Sequence, residues 1–508
     1  MRHLTYVLAL LLLMVPAAAA AQLRYVASVD LRTGVNTNVF AGSPNPAPDR
    51  DTWGLNNEVS PALRLYLYRP RMMLSLAYRL TLQFLVLPDA VPGTSTASDP
   101  PEFGYGNEAF LAYHYALIPG RTELVLNSQL TQGTENVVVQ GPVGPGGYTN
   151  PFWAAGFNFI SNTAMTTLYH SIDPRWSITP RAIFEFYHVL EWAEPPDTVP
   201  PPTTYVVTVT NDLQRYWAIG DLRLTTDFSY VLEQRDQSDL YPPDLTTYLA
   251  SATLGWHHEL TEQWDYRLEA GIGARFRDEI VDGPAGPLAS GSFSDAWTPI
   301  GGANLRFRWQ HWIEANLYYM HRYRTVLESL VNTVSQVDEV GLYAFFIRDP
   351  LRLDVGGSFR YMRFDRQLQQ QIQSENDATN FWRAEATLTF VVLPWLSLEV
   401  SYDLEAATDH VAYISTAGGQ AQAAAPTDYA RHRVMGGVSV AWPPPPPHDR
   451  RLNTRVSSYE PVFTNTGDVA EQRREGPGLV NPDRVEGQQD PLEDLERRER
   501  ERGAEEVD

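Results

Sequence analysis

Residues 264 to 276 read "WDYRLEAGIGARF". One alternate set is Trp264, Tyr266, Leu268, Ala270, Ile272, Ala274 and Phe276, and the set between is Asp265, Arg267, Glu269, Gly271, Gly273 and Arg275. A period of two over this length predicts a strand with one apolar and one polar face. The decisive question is what covers the apolar face.

The same alternation recurs. In "RMMLSLAYRLTLQF" the apolar set is Met72, Leu74, Leu76, Tyr78, Leu80, Leu82 and Phe84, with Ser75, Arg79, Thr81 and Gln83 between them. In "WSITPRAIFEFYHVLEW" Trp176, Ile178, Ala182, Phe184, Phe186 and Leu190 share one face, and Ser177, Thr179, Arg181 and Glu185 the other. "EVGLYAFFIR" is less regular, being apolar on both faces.

The connections alternate in length. Short ones lie near residues 70, 119, 174, 262, 310, 350 and 394. Long ones, rich in Pro, Gly and Asp, cover 35–54, 88–104, 133–151, 193–203, 233–244, 280–295, 328–336, 368–378 and 410–428. Short turns at one end and long loops at the other characterise a membrane-spanning up-and-down antiparallel barrel. No helical segments intervene, which excludes parallel βαβ units. The segment 204–232 is too long for one crossing, since a tilted strand needs only about 9–11 residues in hydrocarbon. A short turn hidden near Asn211–Arg215 or near Gly220 makes the strand number even, giving 18 strands, with 16 as the alternative.

Lipid then covers the apolar face. The bilayer core offers no hydrogen bonds, so a sheet spans it only when closed. Arginine facing lipid at the midplane costs about 2–4 kcal/mol, so the polar set faces inward. Tryptophans near strand ends (Trp176, Trp192, Trp264, Trp309, Trp312, Trp382, Trp395 and Trp442) suit interfacial girdles.

Composition agrees. The 508 residues contain no cysteine, which excludes disulfides, thiolate zinc sites and cysteine nucleophiles. The net charge is −22, and all 39 basic side chains are arginine. Such an acidic chain repels phosphate backbones, so nucleic acid is not expected as a partner. Mean hydropathy, −0.30, looks soluble only because the apolar residues are spaced singly.

The N-terminus, residues 1–21, reads as a secretory signal: Arg2 and His3, an apolar run from Tyr6 to Val15, then small residues. A transmembrane anchor is the alternative, but the apolar run is too short to span comfortably. The barrel is expected over 22–442. "PPPPP" at 443–447 stops the sheet, because proline donates no ladder hydrogen bond. The remainder to Asp508 holds 16 acidic and 10 basic residues and reads as a charged periplasmic tail, with a short helix suggested in "LEDLERRERER". A solvated tail is the plain reading; a docking segment for a periplasmic export protein, through 443–508, is the other.

The expected lumen-lining set, and so the candidate solute path, is Arg79, Arg181, Glu185, Arg223, Asp227, Asp265, Arg267, Glu269, Arg275, Arg277, Arg306, Arg308, Arg352, Asp354, Arg360, Arg383 and Glu385. Glu314, Arg322, Glu399 and Asp403 fall on the same face. These residues read either as arginine–carboxylate pairs bracing the wall or as a polar track for a hydrated solute. Both can hold, because 16–18 strands leave room for water. His257 and His258 are adjacent, so one points in and one out, without acid spacing for zinc. "GIGAR" lies within a strand and is no phosphate loop. No cofactor, metal site or catalytic set is expected; the alternatives to a channel are an outer-membrane lipid-modifying enzyme and a plugged structural or adhesive barrel.

Residues 22–442 resemble Gram-negative outer-membrane β-barrels of the porin type. The last strand, "RHRVMGGVSVAW", with Val434, Val438, Val440 and terminal Trp442 outward, resembles the signal read by the barrel assembly machinery, although about 65 residues follow it. "VDLRTGVNTNVF" is similar to the opening of porins linked to exopolysaccharide systems. The lysine-free composition and overall size resemble exopolysaccharide-export barrels of myxobacterial type. That resemblance implies transport of a polysaccharide with a periplasmic export partner.

The sequence also yields a topology test. An even strand number returns the chain to the periplasm after Trp442. An epitope at Asp508 is therefore expected to be hidden on intact cells and accessible after outer-membrane permeabilisation, while one at Gly146 is accessible throughout. The opposite pattern would invert the assignment, and exposure of both would make the strand number odd.

Overall fold

The computed structural model describes residues 22–37, 53–69, 71–86, 103–134, 158–191, 203–217, 220–234, 245–261, 263–279, 296–309, 312–325, 334–348, 350–363, 378–410, 414–415, 422–423 and 427–443. The strands are β1 (Gln22–Thr37), β2 (Trp53–Arg69), β3 (Met72–Val86), β4 (Phe103–Ile118), β5 (Thr122–Thr134) and β6 (Asn158–Asp173). They continue with β7 (Trp176–Glu191), β8 (Thr203–Trp217), β9 (Gly220–Gln234), β10 (Leu245–Glu259), β11 (Trp264–Glu279) and β12 (Ala296–Trp309). Next come β13 (Ile313–Thr325), β14 (Val334–Arg348), β15 (Leu351–Arg363), β16 (Ala378–Leu393) and β17 (Leu396–His410). A two-residue ladder, β18 (Ile414–Ser415) with β19 (Gln422–Ala423), precedes β20 (Thr427–Trp442).

Each barrel strand pairs antiparallel with its sequence neighbour, β17 pairs with β20, and β20 pairs with β1. The result is a closed 18-stranded sheet. The region 204–232 divides into β8 and β9, with Trp217 paired to Gly220; Asn211–Arg215, the other position considered, lies inside β8 opposite Thr226 to Leu222. Asn211 to Arg215 alternate faces without interruption, which is why no turn forms there. The expected tail, its suggested helix, the signal segment and Trp192 lie outside the described residues, as does most of each long loop.

Short turns are built by local chemistry. Gly120 adopts φ +71°, which a side chain would resist. Asp173 accepts the backbone N–H groups of Arg175 (2.7 Å) and Trp176 (2.9 Å), and Thr261 Oγ1 accepts those of Gln263 and Trp264. Both are side-chain mimics of a backbone turn.

Exposure alternates with parity along much of the sheet, as on β8 and β9. On β11, Leu268 and Ile272 are about half exposed, as are Leu254 on β10, Val400 on β17 and Leu342 on β14. An apolar band running around the whole sheet far exceeds the isolated patches of a soluble protein. Lipid is its medium, and closure leaves no unpaired edge within it.

The closing seam is pinned from inside. Register places Glu399 of β17, Gly437 of β20 and Arg32 of β1 in one row. Arg32 crosses over Gly437 to reach Glu399 at 3.2 Å. A Cβ at position 437 would sit 2.8 Å from Arg32 Cγ and 2.9 Å from the Leu31 carbonyl oxygen. A second device of this kind joins β13 to β14. Tyr318 lies across Gly341, where a Cβ would meet its ring at about 2.5 Å. An aromatic laid over a cross-strand glycine covers backbone that the glycine leaves bare.

Gly437→Val is expected to displace Arg32, break its bridge to Glu399 and push β1 from β20. The folded band on unheated gels should convert to the unfolded band at a lower temperature than in the native protein. Glu399→Gln, which removes only the charge, should lower that temperature less; equal effects would mean the glycine has no steric role.

Candidate functional site: the inner wall

The inward parity collects the ionisable residues, and most are held in pairs or small networks. Arg79 lies 3.9 Å from Glu108, Arg352 3.0 Å from Asp354, Arg360 3.2 Å from Glu339, and Arg383 3.8 Å from Glu385. Glu339 also accepts the Tyr318 hydroxyl at 2.8 Å. Near the seam, Arg433 meets Asp403 at 3.0 Å and Arg431 meets Glu405 at 2.9 Å. Each pair joins neighbouring strands or positions two apart on one strand, as inward alternation allows.

The densest network sits at the turn end of β9 to β12. Asp265 Oδ2 accepts Arg306 Nε at 2.9 Å and Arg308 at 3.0 Å. Its other oxygen lies 3.4 Å from His257 Nε2, and His257 Nδ1 lies 2.9 Å from Asp221. His257 is thus bracketed by two carboxylates, while His258 faces outward against Trp256 and Tyr266. Among the described residues no group of three His, Cys, Asp or Glu side chains is arranged to hold a metal.

The remaining expected residues occupy the sector from β7 to β13. Arg181 is opposite Thr210, and Glu185 opposite Val206. Arg223 is flanked by Gln214 and Gly255. Asp227 accepts Ser251 Oγ at 3.0 Å. Arg267 sits between His257 and Asn304. Glu269 is 3.9 Å from Arg322, and the Arg275 guanidinium lies 5.4 Å from the centre of the Tyr323 ring. Arg277 shares the parity of Arg275 and pairs in register with Thr247.

The wall is packed in places and wetted in others. Thr204, Val206, Val231, Glu233 and Thr247 on β8 to β10 are at most 1% exposed, and Tyr318 and Met320 on β13 and Val337 on β14 are packed to the same degree. Other polar heads keep contact with water: the Arg308 side chain is 31% exposed, that of Asp354 32% and that of Arg383 25%. Across β11, β12 and β13, Arg267, Arg275, Arg306, Arg308 and Arg322 outnumber Asp265, Glu269 and Glu314 among the described side chains. This arc presents net positive charge to the interior.

Sequence reading missed Arg32, Glu108, Asp221, His257, Glu339, Glu405, Arg431 and Arg433 as members of this wall. The signal was available for several: Glu339 has the inward parity of its strand, and Asp221 that of Arg223. Their partners could be named only from register, which alternation within one strand does not supply.

These features define a class: a membrane-spanning β-barrel of outer-membrane type, with an apolar exterior and an ion-paired interior. No known family profile matches the chain, and no curated protein sequence does. Solved structures of outer-membrane barrels align with it. The FrpB iron transporter from Neisseria meningitidis (F3-3 variant) is 7% identical with a TM-score of 0.39, over 82% of this chain and 81% of that one. Pseudomonas aeruginosa OccK2 (OpdF), solved with glucuronate, is 10% identical with a TM-score of 0.39, over 82% and 98%. Acinetobacter baumannii OccAB3 is 9% identical with a TM-score of 0.37, over 82% and 99%. The class rests on the closed sheet and its two faces, not on these distant likenesses.

Asp265→Asn should strand two guanidiniums and is expected to destabilise the barrel by about 2–3 kcal/mol, below the full cost of breaking a buried pair because Arg308 keeps water contact. Urea unfolding in lipid vesicles measures this. Combining it with Arg306→Met should recover part of the loss; full additivity would dissolve the network.

Proposed function

We propose that this protein is a channel for hydrophilic solutes across the bacterial outer membrane, with its short turns and both termini in the periplasm. The observation that carries the reading is the inner wall: paired charged heads that keep partial contact with water, Arg308, Asp354 and Arg383 among them, on a closed sheet with an apolar exterior. Hydrated solutes need such a surface, because it exchanges hydrogen bonds with them at little cost. Eighteen strands give a circumference at which barrels enclose water.

The net positive arc on β11 to β13 favours anions, acidic sugars among them. A positive wall between low-dielectric surroundings concentrates counter-ions along itself. An exported acidic polysaccharide is the more specific version, supported by the resemblance of the opening strand to exopolysaccharide-linked porins. In it, residues 443–508 meet a periplasmic export protein. Expected partners are outer-membrane lipid and the assembly machinery that inserts the barrel. The pairing of most inner charges fits wall bracing better than a catalytic role, so a lipid-modifying enzyme is the less favoured reading.

Planar-bilayer recording is the test. The native protein should conduct with an anion preference. Arg267→Glu, Arg275→Glu and Arg277→Glu together should shift the reversal potential toward cations. Unchanged selectivity in a conducting variant would remove this arc from the solute path. Absence of conductance in the folded native protein would overturn the open channel in favour of a plugged barrel.

A further inference from the structure

The turn end of the barrel carries a pattern that the inner wall does not use. In successive hairpins the residue just before the second strand accepts a backbone hydrogen bond from the next hairpin. Ala116 N–H donates to the Arg71 carbonyl (2.9 Å), Ser171 to that of Arg121 (2.8 Å), and Tyr216 to that of Arg175 (2.8 Å). Equivalent positions farther round are Gln263, Trp312, Pro350 and Trp395, which accept from Arg308, Ile347, Val391 and Ala441. One structural position is therefore arginine on three consecutive hairpins, β2–β3, β4–β5 and β6–β7, and uncharged on the hairpins across the barrel.

The next hairpin extends the arc. Arg215, near the end of β8, has outward parity and is exposed. Its guanidinium lies 5.3 Å from the ring centres of both Trp176 and Trp217. Arg71, Arg121 and Arg175 are exposed too. Arg121 donates to the Ser171 and Ile172 carbonyls, which ties it along the rim toward Arg175. The carboxylate within this arc, Asp173, is engaged with the N–H groups of its own turn.

We infer that Arg71, Arg121, Arg175 and Arg215, with Trp176 and Trp217, form a rim arc that binds the phosphate groups of anionic glycerophospholipids. Tryptophan places this rim at headgroup depth. A guanidinium lying over an indole face keeps its N–H edge available, and that edge matches a phosphate bidentately. The exterior here carries these four exposed arginines, and its carboxylate among the described rim residues, Asp173, is engaged in its own turn, so the charge complement is an anion. The inference rests on the proposed orientation, because turns in the periplasm put the rim in the leaflet made of glycerophospholipid.

The test uses the full-length protein in neutral detergent and measures equilibrium binding of short-chain phosphatidylglycerol, phosphatidylcholine and lipid A. Phosphatidylglycerol should bind more tightly than phosphatidylcholine, with affinity falling as salt rises. Each arginine removed should weaken it about five-fold, so Arg121→Gln, Arg175→Gln and Arg215→Gln together should weaken it about a hundred-fold. The corresponding Arg→Lys triple variant, which keeps the charge but not the planar fork, should recover only part of the binding, and heat-modifiable mobility checks that both fold. Selectivity in planar bilayers should be unchanged in both, because no substituted residue faces the lumen. Equal binding of phosphatidylglycerol and phosphatidylcholine, or no loss in the glutamine variant, overturns the lipid site and leaves the channel reading standing. Selective binding of lipid A instead overturns the glycerophospholipid assignment and, with it, the orientation.

Discussion

Within hydrocarbon every backbone N–H and C=O must find a partner in the protein, and here that requirement is completed where β20 meets β1. Ala27 to Asn36 pair with Trp442 to Arg433 across this junction. The two strands come from opposite ends of the barrel sequence, so their contact closes a loop of several hundred residues, costly in entropy. The seam is reinforced accordingly. Arg32 passes over Gly437 to Glu399, so a single side chain spans three strands, and Arg433 holds Asp403 two inward rows away.

Closure dictates how charge is stored. An arginine outside would cost free energy at mid-membrane, so arginine and carboxylate are driven inward together. Once inside, neighbouring strands bring opposite signs within reach, and the wall becomes a lattice of pairs. Pairing has a second effect on function. A paired wall is nearly neutral on average, so selectivity depends on local excess, and β11 to β13 carry that excess. Packed patches interrupt the wetted wall, Val206 and Val231 against Leu249 on β8 to β10 and Tyr318, Met320 and Val337 on β13 and β14.

At the turn end, indole rings and guanidiniums are organised by the regular hairpin step of the sheet, each turn hydrogen-bonded to the next. Along that step one hairpin position is arginine on β2–β3, β4–β5 and β6–β7, and Gln263, Trp312, Pro350 and Trp395 on four later hairpins, where Arg348 lies over the Trp312 ring.

The sequence by itself determined the strands and their faces. Alternation in "WDYRLEAGIGARF" requires an apolar side for Leu268 and Ile272, and no soluble layer was encoded to cover it. Alternating connection lengths determined the up-and-down order, and parity required an even number of strands. Only the tertiary structure decided which residues meet. Tyr318 reaches Glu339 because Gly341 gives it room, and His257 lies between Asp221 and Asp265 because three strands take one particular register. The position of the β8–β9 turn was likewise left open between two places, because Asn211–Arg215 is polar enough to suggest a turn yet keeps strict alternation. The physical reason is the same in each case. The period of two is a property of one chain segment, whereas register is a relation between segments set by pairing energies spread over the whole closed sheet.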